Sequence, residues 1–175
     1  LPTATHIYET GFTEMADEKA TELDVRNLEH YRPRSFVPED ADLTDPETVV
    51  GLLQKLLDRE NKSTEDLEQW LLDRSEVGAA LDETGSVLYI RMTCQTDDEA
   101  RAEAYKAFIQ DVVPLVKPVD DKLARKYLAD REKFGLDEHR YEVYNRDTAA
   151  DAELFRQENV PLQTQESLLS QEYQG

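Results

Sequence analysis

Three histidines and one cysteine, His6, His30, His139 and Cys94, are the side chains best suited to hold a metal or attack a substrate. A helical zinc site sets two imidazoles at i and i+4 on one face, with a glutamate beside the first to activate water. No histidine here has another within four residues. A metal site drawn from residues so far apart would depend wholly on tertiary structure, and solvated surface histidines are the simpler reading. Cys94 beside a histidine would give a nucleophile, but its local context offers none, and a free cysteine usually packs as a small hydrophobe. The six glycines include no G-x-x-x-x-G-K phosphate loop. Paired carboxylates arise from composition alone and carry no information. The polar run Glu138-His139-Arg140-Tyr141 reads as a helix start, and Trp70 and the spaced tyrosines read as core. The expectation is a chain with no catalytic residue, no metal ligand and no cofactor of its own, and with substrate-binding residues that no motif marks.

The surface must be acidic. The 175 residues carry 39 acidic and 20 basic side chains, for a net charge of −19. Such a chain has no broad basic surface to displace counterions from a nucleic acid, and Arg32-Pro33-Arg34 is too small a patch to supply one. No apolar run approaches the roughly 18–20 residues that cross a bilayer, and a single cysteine excludes an internal disulfide. The acidity suits a salt-rich cytoplasm or an ordinary one; 12 Arg against 8 Lys leans toward the first. Residues 1–34 read as a partly disordered N-terminal extension. Glu9, Glu14, Asp17 and Glu18 give it the wrong charge for a targeting signal, so a cytoplasmic location is expected. The start at Leu1 suggests a processed or partial chain.

Helices are what must position any site. Asp45-Pro46 caps and opens the first, with Val49, Leu52, Leu53, Leu56 and Leu57 on one face and an end near Glu60-Asn61. Ser63 opens a second, with Leu67, Trp70, Leu71, Val77 and Leu81 inward and Gly85 at its limit. Val87 to Cys94 has the composition of a strand but no partner strand, and is read as a buried helix. Thr96-Asp97-Asp98-Glu99 resembles a capping box that starts the longest helix. Its stripe Ala104, Phe108, Val112, Leu115, Val119, Leu123 and Tyr127 keeps phase through Pro114 and Pro118. One kinked helix of roughly 50 Å follows from that phase. Gly135 ends it. Asp137 caps the next helix, on which Tyr141, Tyr144, Ala152, Phe155 and Asn159 share a face, and Val160-Pro161 ends that one. Thr164 caps a last segment carrying Leu168, Leu169 and Tyr173. The fold class is all-α: an antiparallel helical bundle or layer built around one long Pro-kinked helix.

Four segments together resemble the N-terminal region of M3-family zinc metallopeptidases of the oligoendopeptidase F type. They are Phe36-Val-Pro-Glu-Asp40, Trp70-Leu-Leu-Asp-Arg-Ser-Glu76, Tyr89-Ile-Arg-Met-Thr-Cys94 with Thr96-Asp97, and Glu153 to Thr164. The resemblance spans roughly 35–174. It implies a helical domain over 35–175, truncated before its catalytic domain and part of a larger, mostly helical peptidase that cleaves short peptides in an enclosed channel. The family's zinc sits on His-Glu-x-x-His and a downstream glutamate, none of which maps onto this chain. The implied role is therefore a non-catalytic lobe whose helices wall the channel. Zinc is expected in the missing catalytic domain, which would be the partner within the same polypeptide. Self-association through an exposed apolar patch, with Leu168, Leu169 and Tyr173 as contributors, is a further expectation. The alternative is a free-standing helical interaction module without enzymatic activity.

Overall fold

A computed structural model of the chain describes residues 34–174. The extension up to Pro33, including His6, His30, Arg32 and the disorder expected there, lies outside the described residues. Among the described residues all regular structure is helical, as the sequence predicts.

Helix α1 spans Pro46–Asp58. Asp45 caps it by accepting from the backbone N–H groups of Glu47 and Thr48, and Pro46 occupies a first-turn position where a missing N–H costs nothing. Val49, Leu52, Leu53 and Leu56 are buried, and Leu57 is half-buried at the edge of that face. Helix α2 spans Thr64–Cys94, about 46 Å at 1.5 Å per residue. Ser63 Oγ accepts from Asp66 N at 3.1 Å, while the Asp66 carboxylate accepts from Lys62 N at 3.0 Å. The expected cap is therefore present, displaced by one residue on its return bond.

Two expectations for α2 fail. Gly85 does not end the helix; it lies inside it. A Cβ at Gly85 would sit 3.1 Å from the Phe108 ring, so the glycine serves a close approach rather than a stop. Val87 to Cys94 is helical but mostly not buried: Val87, Tyr89, Ile90 and Cys94 are exposed, Met92 is buried and Leu88 is half-buried against the core. β-Branched and aromatic content reported hydrophobicity there, not enclosure.

Helix α3, Glu99–Ala107, is capped by Asp98 rather than Thr96. It runs on through a π turn at Phe108–Val112 into α4, Val113–Phe134. Pro114 is the second residue after the π turn, and its absent N–H falls where the hydrogen-bond register has already been reset. The extra residue of the turn also rotates the apolar stripe. Phe108 and Val112 are buried, but the next inward positions are Val116 and Val119, followed by buried Leu123 and Tyr127. Leu115 is pushed out to 42% exposure, and Ala104 is exposed too. The stripe was expected to hold its phase through the prolines; it does so only by skipping one residue.

Gly135 ends α4 with φ of 62°, and its N–H donates to Arg131 O. A Cβ in this left-handed conformation is strained although nothing crowds it. Gly135→Ala is expected to destabilise the domain by about 1 kcal/mol in a urea titration.

Asp137 accepts from the N–H groups of His139 and Arg140, so it caps the turn that leads into α5, Glu142–Leu154. That helix stops at Leu154, short of the expected Val160-Pro161. Pro161 instead lies in the first turn of α6, Asn159–Gln174, the part of a helix that tolerates proline. Thr164 is inside α6 and donates back to Val160 O instead of capping. Leu168 is half-buried, whereas Leu169 (65%) and Tyr173 (93%) face outward.

One core unites these helices: Leu52 and Leu56 of α1, Leu67 and Trp70 of α2, Val112 of the π turn, and Leu123 and Tyr127 of α4. Helix α4 is the hub, packed against α1, α2, α5 and α6.

Candidate functional site

An open groove of about 1060 Å³ runs along one side of the described residues. Its floor is Phe108, Ile109, Val112 and Val116, presented by the π turn and the start of α4. One wall is the face of α2 made by Ser75, Gly78, Asp82, Gly85 and Ser86. Ser75, Gly78, Gly85 and Ser86 are the small residues of that wall, which the longer Leu71, Arg74, Leu81 and Tyr89 of the same helix share. The Phe108 ring fills the space beside Gly85, while nothing lies within 4 Å of where a Cβ at Gly78 would be. Tyr141 and Tyr144 of the α5 region close one end. Tyr89 and Tyr105, with ring centres 5.5 Å apart, stand toward the other, where Ser167 and Glu166 of α6 face them.

The polar groups are few and mostly engaged. Arg74 donates to Asp120 at 2.6 Å and to the Tyr144 hydroxyl at 3.0 Å, 46 and 70 residues away. Lys117 donates to Gln163 Oε1 at 2.7 Å, tying α4 to α6. Burial raises the Tyr105 phenol above its ordinary range, with the neighbouring Tyr89 adding to the effect. Burial also raises Tyr141, assisted by its hydrogen bond to Glu68. Beneath the groove, burial pushes Tyr127 up to about 12, with Tyr144 contributing; its hydroxyl donates to Asn145 Oδ1 at 2.5 Å. At neutral pH these phenols are protonated and act as hydrogen-bond donors, not bases.

The residues first suspected of chemistry are not brought together. His139 is exposed on the turn before α5, and Cys94 is exposed at the end of α2, not packed as a small hydrophobe. Among the described residues no group of three or more His, Cys, Asp and Glu is placed to hold a metal. Also among them, no helix is long and apolar enough to cross a membrane. The Arg74, Asp120 and Tyr144 cluster escapes sequence reading, because arginine at the edge of an amphipathic face has no distinguishing pattern.

Fold and groove together define an all-helical domain, among the described residues, with an open, mostly apolar concavity along one side. Residues 41–155 match the Peptidase M3 N-terminal domain family, and the chain belongs to that family. The match includes Trp70 to Glu76 and Tyr89 to Asp97. It leaves out Phe36 to Asp40 and takes in only the first three residues of the block that begins at Glu153. No curated protein and no solved structure matches the chain.

Proposed function

We propose that this chain is the N-terminal, non-catalytic lobe of a zinc-dependent peptidase of the oligoendopeptidase F type, acting on short peptides in the cytoplasm. The family match over 41–155 carries the reading. In it, the helices wall the substrate channel and limit what reaches the metal. A catalytic domain of the same polypeptide supplies the zinc through a His-Glu-x-x-His helix and a further glutamate. There the metal would polarise the scissile carbonyl and activate water. Rigid walls suit this lobe's part in the division of labour: long helices packed on a shared core hold position better than loops do.

The test compares residues 1–175 with the polypeptide that joins this domain to a His-Glu-x-x-His domain, using internally quenched short peptides. The joined protein is expected to cleave them and to lose activity with a chelator, while residues 1–175 alone stay inert with or without added zinc. Chelator-sensitive hydrolysis by residues 1–175 alone would overturn the proposal.

A further inference from the structure

We infer that the small pocket between α2, α3 and α6 binds the guanidinium group of an arginine carried within a peptide segment. The inference stands on that pocket and does not require the peptidase reading.

The pocket holds about 360 Å³ and is lined by Tyr89 of α2, Tyr105 of α3, and Glu166, Ser167, Ser170 and Gln171 of α6. No lysine or arginine lines it, so Glu166 leaves the lining negative. The Glu166 carboxylate has no hydrogen bond or ion pair among the described residues. Gln171 Nε2 is committed: it donates to Ala102 O at 3.4 Å and lies 3.5 Å from Met92 Sδ. That orientation leaves Gln171 Oε1 as the atom the amide still offers, and it can only accept. The Ser167 hydroxyl already donates to Gln163 O at 2.9 Å, so its oxygen too is left as an acceptor. Two aromatic rings, a carboxylate and spare acceptors thus converge where no cation stands.

This set discriminates among cations. A guanidinium is planar and weakly hydrated; it stacks on an aromatic ring while its five N–H groups reach a carboxylate and an amide oxygen. A lysine ammonium is compact and strongly hydrated, and gains less from a ring face. A quaternary ammonium has no N–H for Glu166 or Gln171 to accept. Tyr89 and Tyr105 lie 5.5 Å apart between ring centres and are inclined at 59°, so each braces the other before a ligand arrives. The same lining argues for an arginine inside a chain. A free arginine brings an α-carboxylate, which would meet Glu166 and no cation; in a peptide that group is a neutral amide.

A chain of −19 attracts every cation weakly, so the test must separate a site from a surface. Residues 1–175 are titrated at about 0.15 M salt with N-acetyl-arginine methylamide, its lysine and citrulline counterparts, and N-acetyl-arginine, followed by NMR of the tyrosine rings and side-chain amides. The arginine amide is expected to shift Tyr89, Tyr105 and Gln171 saturably, with a Kd in the millimolar range that suits one side chain. The lysine amide should bind about fivefold more weakly, and the neutral citrulline amide should not saturate. N-acetyl-arginine should bind about threefold more weakly than its amide. Glu166→Gln should weaken arginine-amide binding about fivefold, and Tyr105→Leu about tenfold. If circular dichroism shows Tyr105→Leu misfolded, Tyr89→Leu tests the same ring pair from an exposed position. Glu39→Gln with Asp40→Asn, exposed on the turn before α1, should change nothing. Equal binding of the arginine and lysine amides, or an affinity unmoved by Glu166→Gln and the tyrosine variants, would overturn the inference in favour of diffuse attraction to an acidic surface. N-acetyl-arginine binding as tightly as its amide would overturn it in favour of the free amino acid.

Discussion

Trp70→Ala is expected to lower the unfolding free energy by about 4 kcal/mol, measured by urea titration followed by circular dichroism. Trp70 is fully buried, and its indole N–H donates to Leu56 O at 2.9 Å. Leu56 lies in the last turn of α1, where carbonyls have no partner within the helix. The indole therefore fills the core and also closes the exposed end of α1. Two mechanisms add on truncation: a large cavity and an orphaned buried carbonyl. Trp70→Phe separates them. It retains most of the packing and loses the hydrogen bond, so a smaller loss of about 1–2 kcal/mol is expected. Against a typical domain stability of about 5–15 kcal/mol, the alanine variant should be close to unfolding at 37 °C. A loss under about 1 kcal/mol for Trp70→Ala would refute this account of the core.

Glu76→Gln should cost about 2 kcal/mol, the second-largest effect, and that cost should vanish in acid. Oε1 accepts from the backbone N–H groups of Phe36 (2.8 Å) and Val37 (2.7 Å), and Oε2 accepts from those of Ser35 (3.0 Å) and from its hydroxyl (3.1 Å). One carboxylate thus clamps the strap that delivers Val37 into the core at 1% exposure. Arg34 extends the strap along α2 through its ion pair with Glu83. Burial pushes the Glu76 carboxyl up, but the hydrogen bonds from Ser35, Val37 and Phe36 together outweigh it and hold it below its ordinary value of 4.5. A carboxyl lowered on folding contributes its full stability above the unfolded value and loses it as pH falls through the folded one. The gap between unsubstituted protein and Glu76→Gln should therefore be widest near pH 6 and close toward pH 3. Asp42 and Asp45 are also lowered, each chiefly by a threonine hydroxyl, Thr44 and Thr48 respectively. Because both proteins share those groups, the difference between the two isolates Glu76. A gap that stays constant across that range would show that the carboxylate's charge is not what holds the strap.

The two residues illustrate how much was legible beforehand. Trp70 stood out as core from its place in the stripe with Leu67 and Val77. Its hydrogen bond to Leu56 could not be foreseen, because the partner is a backbone carbonyl 14 residues earlier. Glu76 looked like any other acid in a chain of 39. Its role depends on a strap some forty residues earlier in the chain. The stripe of α4 shows a different limit. A helical wheel assumes a constant 3.6 residues per turn, and the π turn at Phe108–Val112 breaks that assumption. Leu115 was misplaced for that reason alone.

Local rules thus carried the helical class, the Asp45 and Ser63 starts, the Gly135 stop and the inner faces of α1 and the first half of α2. Caps and amphipathic periods act within three or four residues, where sequence distance and spatial distance coincide. The groove, the Arg74 to Asp120 link and the exposure of Val87, Tyr89 and Ile90 were decided only by tertiary structure. Each depends on how far helices diverge and on which distant side chain arrives between them. That follows from packing summed over the whole core, and no stretch of neighbouring residues contains it.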